Sequence, residues 1–96
     1  MNQKMGLKGR QPLPLEESVD RIQSRADFVE FVGALIADLK EKPEEWENHD
    51  LASFLEAVKA WVEDMDGYFK NIGERTPDQP SWKTLAQILR AARVYE

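Results

Sequence analysis

Apolar residues recur at helical spacing in three stretches of this chain, and no segment alternates apolar and polar residues with a period of two. The first stretch is Phe28, Phe31, Val32, Leu35, Ile36 and Leu39. Ser24 stands three residues ahead of Asp27, a variant of the capping box that opens many helices. Asp27 and Glu30 lie at the positive end of this helix dipole, Lys40 and Lys42 at the negative end. Pro43 stops it, because proline has no N–H to continue the ladder.

The longest stretch is Leu51, Leu55, Val58, Val62, Met65, Phe69 and Ile72, in alternating steps of four and three. Phe54, Trp61 and Tyr68 add a second column seven residues apart. At about 100° per residue the two columns cover an arc of roughly 140°, wider than a coiled-coil seam. Such a helix should touch two neighbours and organise the core. A helix over 51–72 is ~33 Å long. Glycine costs ~1 kcal/mol inside a helix, yet the stripe resumes in phase after Gly67, so one continuous helix ending at Gly73 is expected. Asn48 or Asp50 caps its start.

The third stretch follows a loop at 74–80, with Ser81 as cap and Trp82, Leu85, Ile88, Leu89, Ala92 and Tyr95 facing inward. Residues 43–48 read as one helical turn with Pro43 at its first position. A short helix is expected within 15–22, behind Pro14. Gly6, Gly9, Pro12 and Pro14 break any period before it, so residues 1–15 read as a flexible arm. The expected fold is all-α: a small bundle of three main helices plus short N-terminal and linking turns, forming one domain over 16–96.

Composition fits that fold. Of 96 residues, 42% are hydrophobic and 32% charged, near the averages of globular domains. A chain this long buries roughly 60–65% of its unfolded surface, enough for one core. The absence of cysteine excludes disulfides, thiolate metal sites and cysteine nucleophiles. No apolar run resembles a signal sequence or approaches the ~20 residues of a membrane span, so a cytoplasmic protein without membrane contact is expected. The net charge of −5 is uneven: residues 16–50 hold eleven acids against four bases. That surface disfavours nucleic acid and either attracts basic partners or simply maintains solubility.

Candidate chemistry is sparse. His49 is the only histidine, whereas zinc sites ordinarily take several His or Cys ligands. A calcium loop with Gly67 at its sixth position would place Val62 and Gly73 where carboxylates belong. The five glycines are scattered and form no phosphate cradle. No catalytic residue, metal or cofactor is therefore assigned, and a non-enzymatic protein is expected. Glu63, Asp64, Asp66 and Tyr68 cluster on the long helix, either as a solvated face or as an acidic contact patch. Asp64 is placed to bond a nearby backbone amide or the Trp82 indole. Trp46, with Asn48 beside it, is either an exposed anchor of the kind enriched in binding hot spots or a lid over the core.

Trp46-Glu47-Asn48, Phe54-Leu55-Glu56-Ala57, Trp61-Val62-Glu63-Asp64-Met65-Asp66-Gly67-Tyr68 and the closing Ala91-Ala92-Arg93-Val94-Tyr95-Glu96 occur in that order. Over about residues 20–96 the chain resembles a family of short, mainly bacterial proteins catalogued as a domain of unknown function. The resemblance implies a small helical domain and carries over no activity, cofactor or site residue. Two functions follow as expectations. One is a protein-binding module, of immunity type, that neutralises a basic partner through Trp46, Asn48, Glu63, Asp64, Asp66 and Tyr68. The other is a small-molecule or enzymatic pocket lined by Trp61, Tyr68 and Trp82. Self-association through an uncovered face of the long helix is a third arrangement.

Overall fold

The computed structural model describes residues 15–96. They form four α-helices and one 3₁₀ turn, with no strand among the described residues: α1 (Leu15–Asp20), α2 (Arg25–Glu41), the turn Pro43–Glu45, α3 (Leu51–Asn71) and α4 (Trp82–Ala92). This is the small all-α bundle that the periodicity predicts. Residues 1–14 of the expected arm lie outside the described residues, while Leu15, its last residue, opens α1 and is buried in the core. No helix among the described residues is long and apolar enough to cross a membrane.

Local chemistry fixes the helix ends. Ser24 Oγ accepts from the Asp27 amide at 3.1 Å, and Asp27 Oδ2 accepts from the Gln23 amide at 2.9 Å. The reciprocal pairing of a capping box is thus present, reaching one residue further back than usual. Asp50, rather than Asn48, caps α3 by accepting from the Ser53 amide at 2.9 Å. Ser81 caps α4 through the Thr84 amide at 3.1 Å.

At the far end of α3, Gly73 N donates to Lys70 O at 3.1 Å and Glu74 N donates to Phe69 O at 2.9 Å, the two bonds of a Schellman motif. Gly73 takes the positive φ of 75° that this motif needs. Gly67 is an ordinary helical residue, and a Cβ at either glycine would meet nothing within 4 Å. Alanine substitution should therefore act with opposite signs: Gly67→Ala is expected to stabilise by ~0.5–1 kcal/mol, and Gly73→Ala to destabilise by about 1 kcal/mol. Thermal melts of the two variants check this pair.

The packing departs from the expected plan. α4, not the long helix, is the hub: it packs on α1, α2 and α3, whereas α3 packs on α4 alone among the helices. The cause lies in side-chain size. Ala86 and Ala92 are fully buried on α4 and Thr84 nearly so, and small residues let neighbouring helices come close. The buried core unites Leu15, Val19 and Ile22 from the N-terminal segment with Phe31, Leu35, Trp46 and Ala86.

Having one helical neighbour, α3 can cover only one side of its apolar arc. It buries Ala57, Trp61 and Phe69, and half-buries Phe54, Val58, Met65 and Tyr68. The aliphatic column is left largely outside: Leu51 is 72% exposed and Leu55 55%, with Val62 and Ile72 also exposed. Phe69 is the buried exception in that column, and the aromatic column of Phe54, Trp61 and Tyr68 faces the fold beside it. Trp82 also turns outward more than expected; it is exposed at the start of α4 with its ring 5.4 Å from that of Phe28.

Candidate functional site: an apolar groove beside an acidic shelf

The linker between α2 and α3 is tied down from both sides. Trp46 Nε1 donates to Asp38 Oδ2 on α2 at 2.8 Å, and Arg93 Nη1 lies 3.4 Å from the same oxygen. The Arg93 guanidinium carbon sits 5.8 Å from the Trp46 ring centroid, within cation–π range. Arg93 Nε donates to Arg90 O, which fixes the guanidinium against the end of α4. The Trp46 ring stacks with Phe54 of α3 at 5.9 Å between centroids. Trp46 is consequently only 6% exposed. It is a lid and a floor, and the exposed-anchor reading is corrected: its polar edge is already satisfied and its face already covered.

Asn48 is tied into the fold in the same way, and it also lines the groove described below. Its amide nitrogen donates to Ala92 O at 3.0 Å and to Tyr95 O at 2.8 Å, and its backbone N–H donates to Arg93 O at 2.9 Å. The last carbonyls of a helix have no intrahelical donor. Asn48 supplies donors to that end of α4 from 44 to 47 residues away, so its N–H groups are spent on the fold. Asn48→Ala leaves these half-buried carbonyls short of donors and is expected to cost ~1–3 kcal/mol. Chemical denaturation measures it.

Asp64 accepts a hydrogen bond from the Tyr95 hydroxyl, not from Trp82 or a backbone amide. That bond holds the phenol above its usual range, because it favours the neutral form beside a carboxylate. With the folded-state value raised, the stabilising contribution is complete below the ordinary phenol value of about 10 and is lost as pH rises through the raised one. Tyrosinate absorbance should show one late-titrating tyrosine in the folded protein, and Asp64→Asn should bring that titration to lower pH. An unchanged titration would contradict the contact.

The other acids of the expected patch behave differently from Asp64. Glu63 pairs with Lys59 at 3.2 Å on the exposed helix surface, and Asp66 is exposed. Tyr68 is half-buried between Trp61 and Phe69, with centroids at 5.2 and 5.1 Å. None of the depressions described below is lined by Trp61, Tyr68 and Trp82 together. Trp61 is buried against Tyr68, and Trp82 lines a surface depression of ≈ 420 Å³ with Ile22 and Leu85. Among the described residues no three His, Asp or Glu side chains converge as a metal-binding group.

What the fold builds instead is a groove. α2 and α3 both lie on α4, and their backbones stay apart, with no Cα of one within 8 Å of a Cα of the other. The gap between them has a volume of ≈ 400 Å³, walled by Val32, Ile36 and Leu39 of α2 and by Leu51 and Phe54 of α3. Trp46 and Leu89 contribute beneath. Ile36 is 51% exposed on this wall. His49 and Asp50 lie at the linker end of the groove. Asp50 is held below the usual carboxylate range by the Ser53 backbone amide and then the Ser53 hydroxyl, so it stays ionised. Beyond His49 lies a second depression of ≈ 370 Å³, formed by Pro43, Glu44, Trp46, Glu47 and His49. The two share Trp46 and His49, making an apolar groove that opens onto an acidic shelf.

The sequence motifs converge structurally. Trp46 and Asn48 meet Ala92, Arg93 and Tyr95, and Tyr95 in turn meets Asp64. The sequence reading missed the groove, although one signal was present: an apolar arc on α3 wider than one neighbour can cover. No curated protein and no solved structure matches this chain. Residues 24–96, from the cap of α2 to the C-terminal residue, match a family model, and the chain belongs to that family of unknown function (DUF7660).

Proposed function

We propose that this protein is a non-catalytic protein-binding module whose contact surface is the groove between α2 and α3. One observation carries the reading. Ile36 and Leu51 stand exposed on opposite walls of a single apolar cleft, where solvation of such side chains is unfavourable. A partner that inserts apolar side chains would remove that surface from water. Glu44, Glu47 and Asp50 at one end favour a basic partner, in keeping with the acidic balance of the chain. Such charges mainly speed encounter and select the partner. Neutralisation of a basic protein, as an immunity-type module would perform, is the form of this activity that the charge favours.

Capture of partners from native host extract by the tagged full chain, at low and high salt, tests the reading. A specific partner should be retained at low salt and weakened at high salt. Ile36→Asp should lose it, while Lys59→Ala, on the exposed face of α3, should keep it. Retention that is indifferent to Ile36→Asp would overturn the assignment of the groove.

A further inference from the structure

Resting on that reading, we infer that the occupant of the groove is an amphipathic α-helix from another protein, apolar along one stripe and basic at the end that meets the shelf.

The shape of the site is that of a helix position left open in a bundle. Two helices flank the gap, each packed on α4, with no Cα of one within 8 Å of a Cα of the other. The α2 wall presents Val32, Ile36 and Leu39, a span of eight residues and two helical turns, or about 10 Å. An incoming helix of matching length offers side chains at i, i+3 or i+4, and i+7, the spacing by which helices engage grooves. The α3 wall supplies Leu51 and Phe54 at three-residue spacing, the same periodicity seen from the other side. An extended strand would find no free sheet edge here, since the described residues contain no strand.

Charge sets the orientation. The shelf lies where α2 ends and α3 begins, and it carries Glu44 and Glu47 with ionised Asp50 at the groove mouth. His49 is the one basic-capable side chain lining either depression. An occupant with lysines or arginines in its last turn would set them over the shelf and also satisfy its own dipole there. Its axis then runs parallel to α2 and antiparallel to α3. A second copy of this chain fits less well: the exposed column of α3 is flanked by Glu56 and Glu63 as well as Lys59, and the chain's net charge of −5 opposes pairing.

The test uses the full chain and three synthetic peptides of equal length followed by fluorescence anisotropy. The first has leucines at helical spacing and lysines in its final turn. The second carries glutamates in place of those lysines, and the third is a scramble of the first. The first peptide should bind at least about tenfold more tightly than either of the others. Ile36→Asp, at an exposed position, should weaken it about tenfold without changing the melting temperature. Glu44→Lys with Glu47→Lys should narrow the preference between the first two peptides and leave the scramble unaffected. Equal binding of the scramble overturns the helical occupant, and equal binding of the glutamate peptide overturns the basic end. Sedimentation of a dimer that Ile36→Asp dissociates assigns the groove to a second copy, which also overturns it. The two proposals fail separately: a captured partner bound through an extended segment would end this inference and leave the protein-binding reading standing.

Discussion

Trp46→Ala is expected to lower stability by about 3–5 kcal/mol, the range for removing a buried large aromatic. For a domain of this size that is a fall in melting temperature of at least ~12 °C. Three contributions are lost together. The ring leaves a cavity next to Phe54 and Leu89, Asp38 loses its shortest donor, and Arg93 loses the face it covers. Trp46→Phe separates them. It keeps an aromatic ring near Phe54 but removes the indole N–H together with part of the fused ring, so it loses the bond to Asp38 and only a fraction of the packing, and its cost should fall to ~1–2 kcal/mol. Equal losses for the two variants would mean that the bond to Asp38, and not the packing, holds the linker in place.

The second large effect concerns which side of α3 faces the fold. Phe69 is 2% exposed, and Phe69→Ala is expected to cost about 3–5 kcal/mol. Leu55 belongs to the same apolar column by sequence, yet it is largely exposed, and Leu55→Ala should cost no more than ~0.5 kcal/mol. The contrast does not depend on hydrophobicity, because both residues are strongly apolar. It depends on α3 having a single helical neighbour. Urea denaturation of the two variants under the same conditions measures it, and comparable losses would require α3 to be rotated about its axis.

Much of the fold was legible because several local signals agreed. Period, cap and stop coincide at Ser24 and Pro43, and the phase of the stripe carries α3 through Gly67 to the Schellman turn at Gly73. These are short-range effects, decided within a turn or two of chain. The choice of α4 as hub was not legible in the same way. Its fully buried Ala86 and Ala92 carry little hydrophobic weight in a sequence pattern, and their importance comes from letting other helices approach. Long-range polar pairing was equally hidden. Nothing near Asn48 in the chain points to carbonyls more than forty residues away, and nothing near Asp64 points to Tyr95. The groove follows from the same cause. A sequence records that α3 has more apolar surface than one neighbour needs, but only the arrangement of α2, α3 and α4 places the surplus of α3 opposite Ile36.

This geometry also separates two surfaces that the acidic sequence pattern could not. At Asp64 and Tyr68 the polar and aromatic groups are largely engaged with the chain itself. At Ile36 and Leu51 apolar groups are open, with acids beside them. A contact site needs surface that is free to be covered, and the second region meets that condition.

Chemical-shift mapping of the isotope-labelled protein on adding the leucine–lysine helical peptide tests the central assignment most directly. Perturbations are predicted at Val32, Ile36, Leu39 and Leu51 and at the Trp46 indole N–H, with Glu63, Asp66 and Tyr68 unmoved. Shifts centred on Glu63, Asp66 and Tyr68, with the groove silent, would contradict it.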